Sequence, residues 1–266
     1  MNAAASRLFD LSGRVALVLG ASRGIGRELA HGLAAAGARV AVAGRTQSDI
    51  ERCADDILAA GGAAEPVRFD AMQLAQLPTF VADVVERLGG IDIFVHVAGL
   101  NRRKPALELT EDDWNAVVDL NLKSLFFSAQ AIGRYWIETD RFAPEHGRGK
   151  GKIIGIGSLT SALGLANMAP YAASKSGLLG VTRVLAVEWA RKGICVNAVA
   201  PGYIETDFTR PVREDASHNA WIVSRIPMGR WGTPSDLVGA ALFLAAPASD
   251  YVTGQALFVD GGWTSG

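Results

Sequence analysis

The run Arg14-Val15-Ala16-Leu17-Val18-Leu19, followed at once by Gly20-Ala21-Ser22-Arg23-Gly24-Ile25-Gly26, constrains this chain more than any other stretch. Its short β-branched and apolar portion reads as a strand of the kind that lies at the centre of a parallel sheet. After the glycines, Ile25, Leu29 and Leu33 recur every four residues with Ala30 and Ala34 beside them, and Gly37 supplies a stop, so a helix follows. Strand, glycine turn and helix in this order leave backbone N–H groups and the positive end of a helix dipole at the turn. Glycines there let a phosphate approach the backbone closely. The spacing is Gly-x-x-x-Gly-x-Gly, and a pyrophosphate-binding turn is the expectation, with an ordinary tight turn as the alternative.

The rest of the chain repeats the alternation. Arg39 to Gly44, Pro66 to Phe69, Ile91 to Val95, Lys152 to Gly157, Ile194 to Ala200 and Ala256 to Val259 read as further strands. Between them, Thr46 to Ala60, Leu74 to Leu88, Glu111 to Trp136, Pro170 to about Arg191 and Pro234 to Ala245 read as helices. Alternating β and α predicts an α/β fold: one Rossmann-like, doubly wound parallel sheet of about seven strands with helices on both faces and sites at the strand carboxyl ends. Residues 1–266 are expected to form one domain, with 1–10 as a tail and 203–232 as a flap over the substrate, because that stretch has no strong periodicity. Glu138 to Lys150 reads as an exposed loop.

Arg45-Thr46 stands at the end of the second strand, about twenty residues past the glycines, where an adenosine ribose lies in such folds. A carboxylate there suits NAD(H). Arg45 offers a cation to a 2′-phosphate instead, and Arg23 in the glycine turn reaches toward the same group, so NADP(H) is favoured and NAD(H) remains possible. The alternative is that both arginines are merely solvated.

Composition excludes other classes. A net charge of -1 without a basic tract points away from nucleic acid, and no apolar run approaches the ~18 residues of a membrane span. Met1 to Asp10 lacks the apolar core of a signal peptide, so a cytoplasmic location is expected. Cys53 and Cys195 fall in a helix and a buried strand and read as free thiols, and no metal site is expected.

Four further residues are candidates to carry chemistry. Tyr171 and Lys175 lie one helical turn apart on one face, so a phenol stands beside an ammonium. A positive neighbour favours the phenolate and lowers a pKa that is otherwise near ~10, which suits proton transfer near neutral pH. Ser158 ends the fifth strand, where a turn or capping role is the ordinary explanation for a hydroxyl. Asn121 lies in an apolar stripe between Val117 and Leu125, where a carboxamide needs hydrogen-bond partners.

Taken together these residues resemble the short-chain dehydrogenase/reductase family over essentially the whole chain. The resemblance implies that Asn121, Ser158, Tyr171 and Lys175 form a catalytic tetrad. Tyr171 would then exchange the substrate proton, Ser158 would hold the carbonyl oxygen, and Lys175 would lower the tyrosine pKa and bind the nicotinamide ribose. Asn121 would help hold a water that relays protons. It also implies a cofactor site over Gly20, Ser22, Arg23, Gly24, Ile25, Gly26, Arg45, Thr46, Asp70, Ala71, Ala98, Gly99, Tyr171, Lys175, Pro201, Gly202, Ile204 and Thr206, with Asp70 meeting the adenine. Two departures are Leu19, where the family usually has Thr, and His96-Val97-Ala98-Gly99, where it has Asn-Asn-Ala-Gly or Asn-Ala-Ala-Gly. A buried structural imidazole is the simplest reading of His96.

Within the family, Leu100 to Pro105, Arg225 to Gly232 and the terminal Asp260-Gly261-Gly262-Trp263 look most like sugar-acid dehydrogenases of the gluconate 5-dehydrogenase and 2-dehydro-3-deoxy-gluconate 5-dehydrogenase type. Arg102 or Arg103 would then pair with a substrate carboxylate. The expected activity is NADP(H)-dependent interconversion of a secondary alcohol and a ketone on a small sugar acid. A 3-oxoacyl thioester reductase is the competing enzyme, and a non-catalytic nucleotide sensor the competing class. The resemblance further implies a homotetramer built through the two long helices.

Overall fold

Alternate side chains of the first strand, β1 (Val15–Leu19), face opposite ways, and both sets are buried. Ala16 and Val18 join one apolar cluster, whereas Val15, Leu17 and Leu19 join another. A strand covered on both faces must sit inside a sheet sandwiched by helices, which is why it carries no polar alternation. In the computed structural model, which describes residues 7–143, 146 and 149–266, seven strands form one sheet in the order β3-β2-β1-β4-β5-β6-β7. Every neighbouring pair is parallel.

The helices follow from the chain's apolar stripes. α1 (Gly24–Ala35) and α2 (Gln47–Ala59) bury Leu29, Leu33, Ile50 and Ile57 on the face of Ala16 and Val18. α3 (Leu77–Leu88) buries Phe80, Val81 and Val84 on the other. β2 (Arg39–Gly44) and β7 (Ala256–Val259) have the expected limits. β4 (Ile93–His96), β5 (Gly151–Ile156) and β6 (Ile194–Pro201) differ by a residue or two at their ends. β3 is a larger difference: it spans Ala63–Arg68, so it starts before Pro66 rather than at it. β3 lies at the sheet's edge, where a residue without an N–H costs no ladder bond on its outer side.

The long helix expected over Glu111 to Trp136 is interrupted. α4 (Glu111–Val118) starts at a capping box between Thr110 and Asp113, and a π turn (Asp119–Lys123) separates it from α5 (Ser124–Glu138). Single π turns in α-helices are frequent at functional sites, and this one holds Asn121. α6 (Ala169–Trp189) carries Tyr171 and Lys175 and packs on β6.

The stretch 203–232 is more ordered than its sequence suggests. It contains α7 (Arg210–Glu214) and α8 (Ala216–Arg225), and Ile222, Ile226 and Trp231 bury themselves against Trp263. α9 (Val238–Ala245) returns the chain to the sheet. The first six residues of the expected tail, and residues 144, 145, 147 and 148 of the loop expected over Glu138 to Lys150, lie outside the described residues.

Both cysteines are free and buried. Among the described residues no helix is long and apolar enough to cross a membrane. Nor do those residues hold a group of His, Cys, Asp and Glu able to bind a metal.

Candidate active site

The sheet order reverses between β1 and β4, so the chain leaves these two strands in opposite directions and opens a crevice at their carboxyl ends. The glycine turn lines it. Gly20 and Gly24 adopt φ of +97° and +54°, and a Cβ on Gly20 would fall 2.6 Å from Ala98 N. One on Gly26 would collide with the Gly20 carbonyl oxygen. The turn therefore brings α1's first turn directly against the end of β1.

Arg23, at the N-cap of α1, makes no side-chain capping bond, and the helix has no acidic residue in its first turn. α4 differs, since Thr110 and Asp113 cap it reciprocally. Uncapped N–H groups and an unneutralised dipole suit a phosphate. Thr46 likewise caps α2 without a side-chain bond, and Arg23 and Arg45 are exposed with no carboxylate partner among the described residues. Ser22 lies beside Gly44, at the end of β2. This donor set fits a phosphorylated dinucleotide.

The remaining predicted cofactor positions fall around the same crevice. Asp70 accepts a hydrogen bond from Met72 N at 3.0 Å in the turn after β3, and Ala71 is buried there. Ile25 packs partly buried against the core. A Cβ on Gly24 would meet Thr206 Cγ2 at 3.5 Å, so the segment after β6 folds over the glycine turn. That segment is fixed by Gly202 N donating to Val259 O at 3.0 Å, and by buried Pro201 and Ile204.

The four predicted catalytic residues converge at the ends of β4 and β5. Asn121 is fully buried; its Oδ1 accepts from Leu100 N at 2.8 Å, and its Nδ2 donates to Leu100 O at 2.9 Å and Ser174 Oγ at 3.1 Å. A Cβ on Gly99 would lie 3.2 Å from Asn121 Oδ1 and 3.7 Å from Lys175 Nζ, which places the three together. Ser158 ends its strand in a tight turn, accepts from Thr160 N at 3.1 Å and hydrogen-bonds with Tyr171.

The tyrosine and lysine depart from the simple spacing argument. Lys175 Nζ donates to Ile156 O at 2.6 Å and lies 5.6 Å from the centre of the Tyr171 ring. Burial pushes the Tyr171 hydroxyl up to about 12, while the Ser158 hydrogen bond and the Arg103 charge favour the phenolate. Burial also brings the Lys175 ammonium down to about 8. A common helical face puts the two side chains together, but the ammonium is directed to a backbone carbonyl rather than to the phenol oxygen.

His96 is a buried, neutral imidazole. Burial, with the Lys175 charge second, lowers it to about 3. Its Nε2 is 2.9 Å from Ser124 Oγ, and Ser124 donates in turn to Leu120 O inside the π turn. The histidine thus ties β4 to the helix that holds Asn121.

Arg102 and Arg103 are both exposed, and the Arg103 side chain reaches the site. Its guanidinium hydrogen-bonds with Tyr203, donates to Met168 Sδ at 3.6 Å and acts on the Tyr171 phenol. Lys104 is taken by Asp113 at 2.6 Å, and that carboxyl falls to about 2 as a result. Sequence reasoning missed Tyr203, Ser174 and Ser161. Ser161 Oγ donates to Lys175 O at 2.8 Å, and its place three residues after Ser158 is capping-box spacing that signals the turn.

A family model described as enoyl-(acyl carrier protein) reductase matches residues 20–264. The 2-dehydro-3-deoxy-D-gluconate 5-dehydrogenase of Escherichia coli (strain K12) is 44% identical over 255 residues, covering 96% of this chain and 97% of that protein. The gluconate 5-dehydrogenase of Gluconobacter oxydans (strain 621H) is 40% identical over 257 residues, covering 97% of each. A crystal structure of a gluconate 5-dehydrogenase from Burkholderia cenocepacia J2315 in complex with NADP and tartrate has a TM-score of 0.92 and 42% identity, covering 98% of this chain and 99% of that one. Agreement in sequence and backbone over nearly the whole length puts this chain in the short-chain dehydrogenase/reductase family.

Proposed function

We propose that this chain is an NADP(H)-dependent oxidoreductase that interconverts a secondary alcohol and a ketone on a small sugar acid of the gluconate type. The observation that carries the reading is the meeting of four groups at the strand ends beside the glycine turn: Ser158, Tyr171 and Lys175, with the charge of Arg103 on the same phenol. Relatives named for gluconate-type substrates and a neighbour crystallised with NADP support it. Bound NADP(H) would supply or accept the hydride.

The chain's own residues divide the remaining work. Gly20, Gly24 and Gly26 admit the pyrophosphate to the uncapped start of α1, while Arg23, Arg45 and Thr46 meet the 2′-phosphate. The Tyr171 hydroxyl gives its proton to the carbonyl oxygen or takes it back. Ser158 hydrogen-bonds that oxygen and, in the resting site, Tyr171 itself. Lys175 supplies positive charge within the buried site, and Asn121 fixes Leu100, the first residue of the loop that bears Arg103. Arg103 meets the substrate carboxylate.

Initial rates of the purified protein test this, with 5-keto-D-gluconate, 2-dehydro-3-deoxy-D-gluconate or acetoacetyl thioesters, each with NADP(H) and NAD(H), followed by nicotinamide absorbance. Fastest turnover of a sugar acid with NADP(H) is expected. Preference for the thioester would replace this substrate with a 3-oxoacyl group, and nucleotide binding without turnover on any of them would leave a sensor.

We further propose a cytoplasmic homotetramer. Phe127 on α5 and Val184 and Val187 on α6 are apolar and exposed, which suits burial between copies. Light scattering of the purified protein would contradict the assembly by returning a monomer mass, and cell fractionation would contradict the location by finding the protein outside the cytoplasm.

A further inference from the structure

An arginine on an exposed loop ordinarily samples many rotamers, and ordering it takes free energy from any ligand it binds. Arg103 is restrained before any ligand arrives. Its guanidinium hydrogen-bonds with the hydroxyl of Tyr203 on one side and lies 3.6 Å from Met168 Sδ on the other. Met168 is buried at the N-cap of α6, three residues before Tyr171.

Tyr203 is itself held. Its ring stacks on Trp263, with centroids 5.2 Å apart, and meets Trp231 edge-on at 5.1 Å. Each indole has its own anchor. Trp231 Nε1 donates to Asn219 Oδ1 at 2.7 Å, on α8. The turn bearing Trp263 is closed by Asp260, which accepts from Gly262 N at 3.0 Å and Thr264 N at 2.8 Å. The same cluster takes in Leu163, a few residues past Ser158. A phenol wedged between two anchored indoles keeps few rotamers, so the hydroxyl that meets Arg103 occupies a fixed point next to the catalytic turn.

We infer that Tyr203 is a specificity-determining positioning residue: clamped between Trp231 and Trp263, it aims the Arg103 guanidinium at the carboxylate of an acidic keto substrate lying over Tyr171. The inference rests on the sugar-acid reading proposed above. Arg103 binds a part of the substrate remote from the reacting carbonyl, so its contribution is ground-state and transition-state binding alike and shows in KM rather than kcat. A neutral ketone gives Arg103 nothing to pair with and gains little from its orientation.

The test is a double-mutant cycle on the full chain with Tyr203→Phe, Arg103→Ala and the pair together. Kinetics with NADPH are measured on 5-keto-D-gluconate and on a neutral ketohexose such as L-sorbose. Tyr203→Phe keeps the ring in its clamp and removes only the hydroxyl, so thermal melting is expected to match the parent. We expect KM for the acid to rise about fivefold in Tyr203→Phe and on the order of tenfold or more in Arg103→Ala, with kcat little changed and smaller effects on the neutral ketone. The double variant should be no worse than Arg103→Ala alone, because Tyr203 acts through the arginine. Selective damage in Arg103→Ala beside equal or absent effects in Tyr203→Phe, or full additivity in the double variant, would overturn the inference while leaving the carboxylate contact standing. Equal effects of Arg103→Ala on both substrates would overturn the contact and the inference together.

Discussion

Asn121 and Leu100 are joined at two points, Oδ1 accepting from Leu100 N at 2.8 Å and Nδ2 donating to Leu100 O at 2.9 Å. A third bond, from Nδ2 to Ser174 Oγ at 3.1 Å, reaches α6. One buried carboxamide therefore links the π turn, the loop that bears Arg103 and the helix that bears Tyr171. Replacing it with an isosteric apolar side chain, Asn121→Leu, leaves the backbone N–H and C=O of Leu100 without these partners. The expected cost is about 2–4 kcal/mol of stability. Calorimetry should show the melting temperature falling by several degrees together with a loss of kcat. A melting temperature within a degree of the parent would remove the carboxamide from the scaffold.

Arg45 is exposed at the end of β2 and has no carboxylate partner among the described residues. If it meets a 2′-phosphate, Arg45→Ala loses one charge-assisted pair. kcat/KM with NADPH should fall on the order of tenfold to a hundredfold, and kcat/KM with NADH by less than about threefold. Parallel losses with both cofactors would show that Arg45 does not select between them.

His96 makes stability depend on acid. Its native value is lowered to about 3, mainly by burial, whereas an unfolded histidine titrates near ~6.5. Between these values the unfolded chain binds a proton that the native chain does not. The contribution is therefore fully present above pH ~6.5 and is lost as pH falls toward 3, by about 1.4 kcal/mol per pH unit. Urea unfolding at pH 7 and pH 5 should show the parent losing about 2 kcal/mol more between the two than His96→Asn loses. Equal losses in the two proteins would mean that His96 takes up its proton in the folded state as readily as in the unfolded one.

The elements that were legible in the sequence are those whose limits are set by their own residues. β2 and β7 begin and end where their apolar runs do, and the glycine turn announces itself by residue type. β3 began early because an edge position, which only the assembled sheet defines, tolerates Pro66. The π turn was hidden because one extra residue per turn barely disturbs an apolar stripe that already covers a broad face. For the site, residue types and order singled out Asn121, Ser158, Tyr171 and Lys175, and the structure brings these four side chains together. The lysine's partner was not legible, since helical spacing says nothing of the Ile156 carbonyl that receives its ammonium. Nor was the clamp on Tyr203, whose indoles lie 28 and 60 residues further along the chain.

The most direct measurement of the central claim is turnover of Tyr171→Phe beside its affinity for NADPH. The substitution keeps the ring that Phe208 approaches at 6.4 Å and removes the only hydroxyl assigned to proton transfer. With 5-keto-D-gluconate as substrate, kcat should fall by on the order of a hundredfold to ten-thousandfold, while the NADPH dissociation constant from fluorescence titration stays within about twofold. Turnover within about tenfold of the parent, with NADPH still bound, would contradict the mechanism.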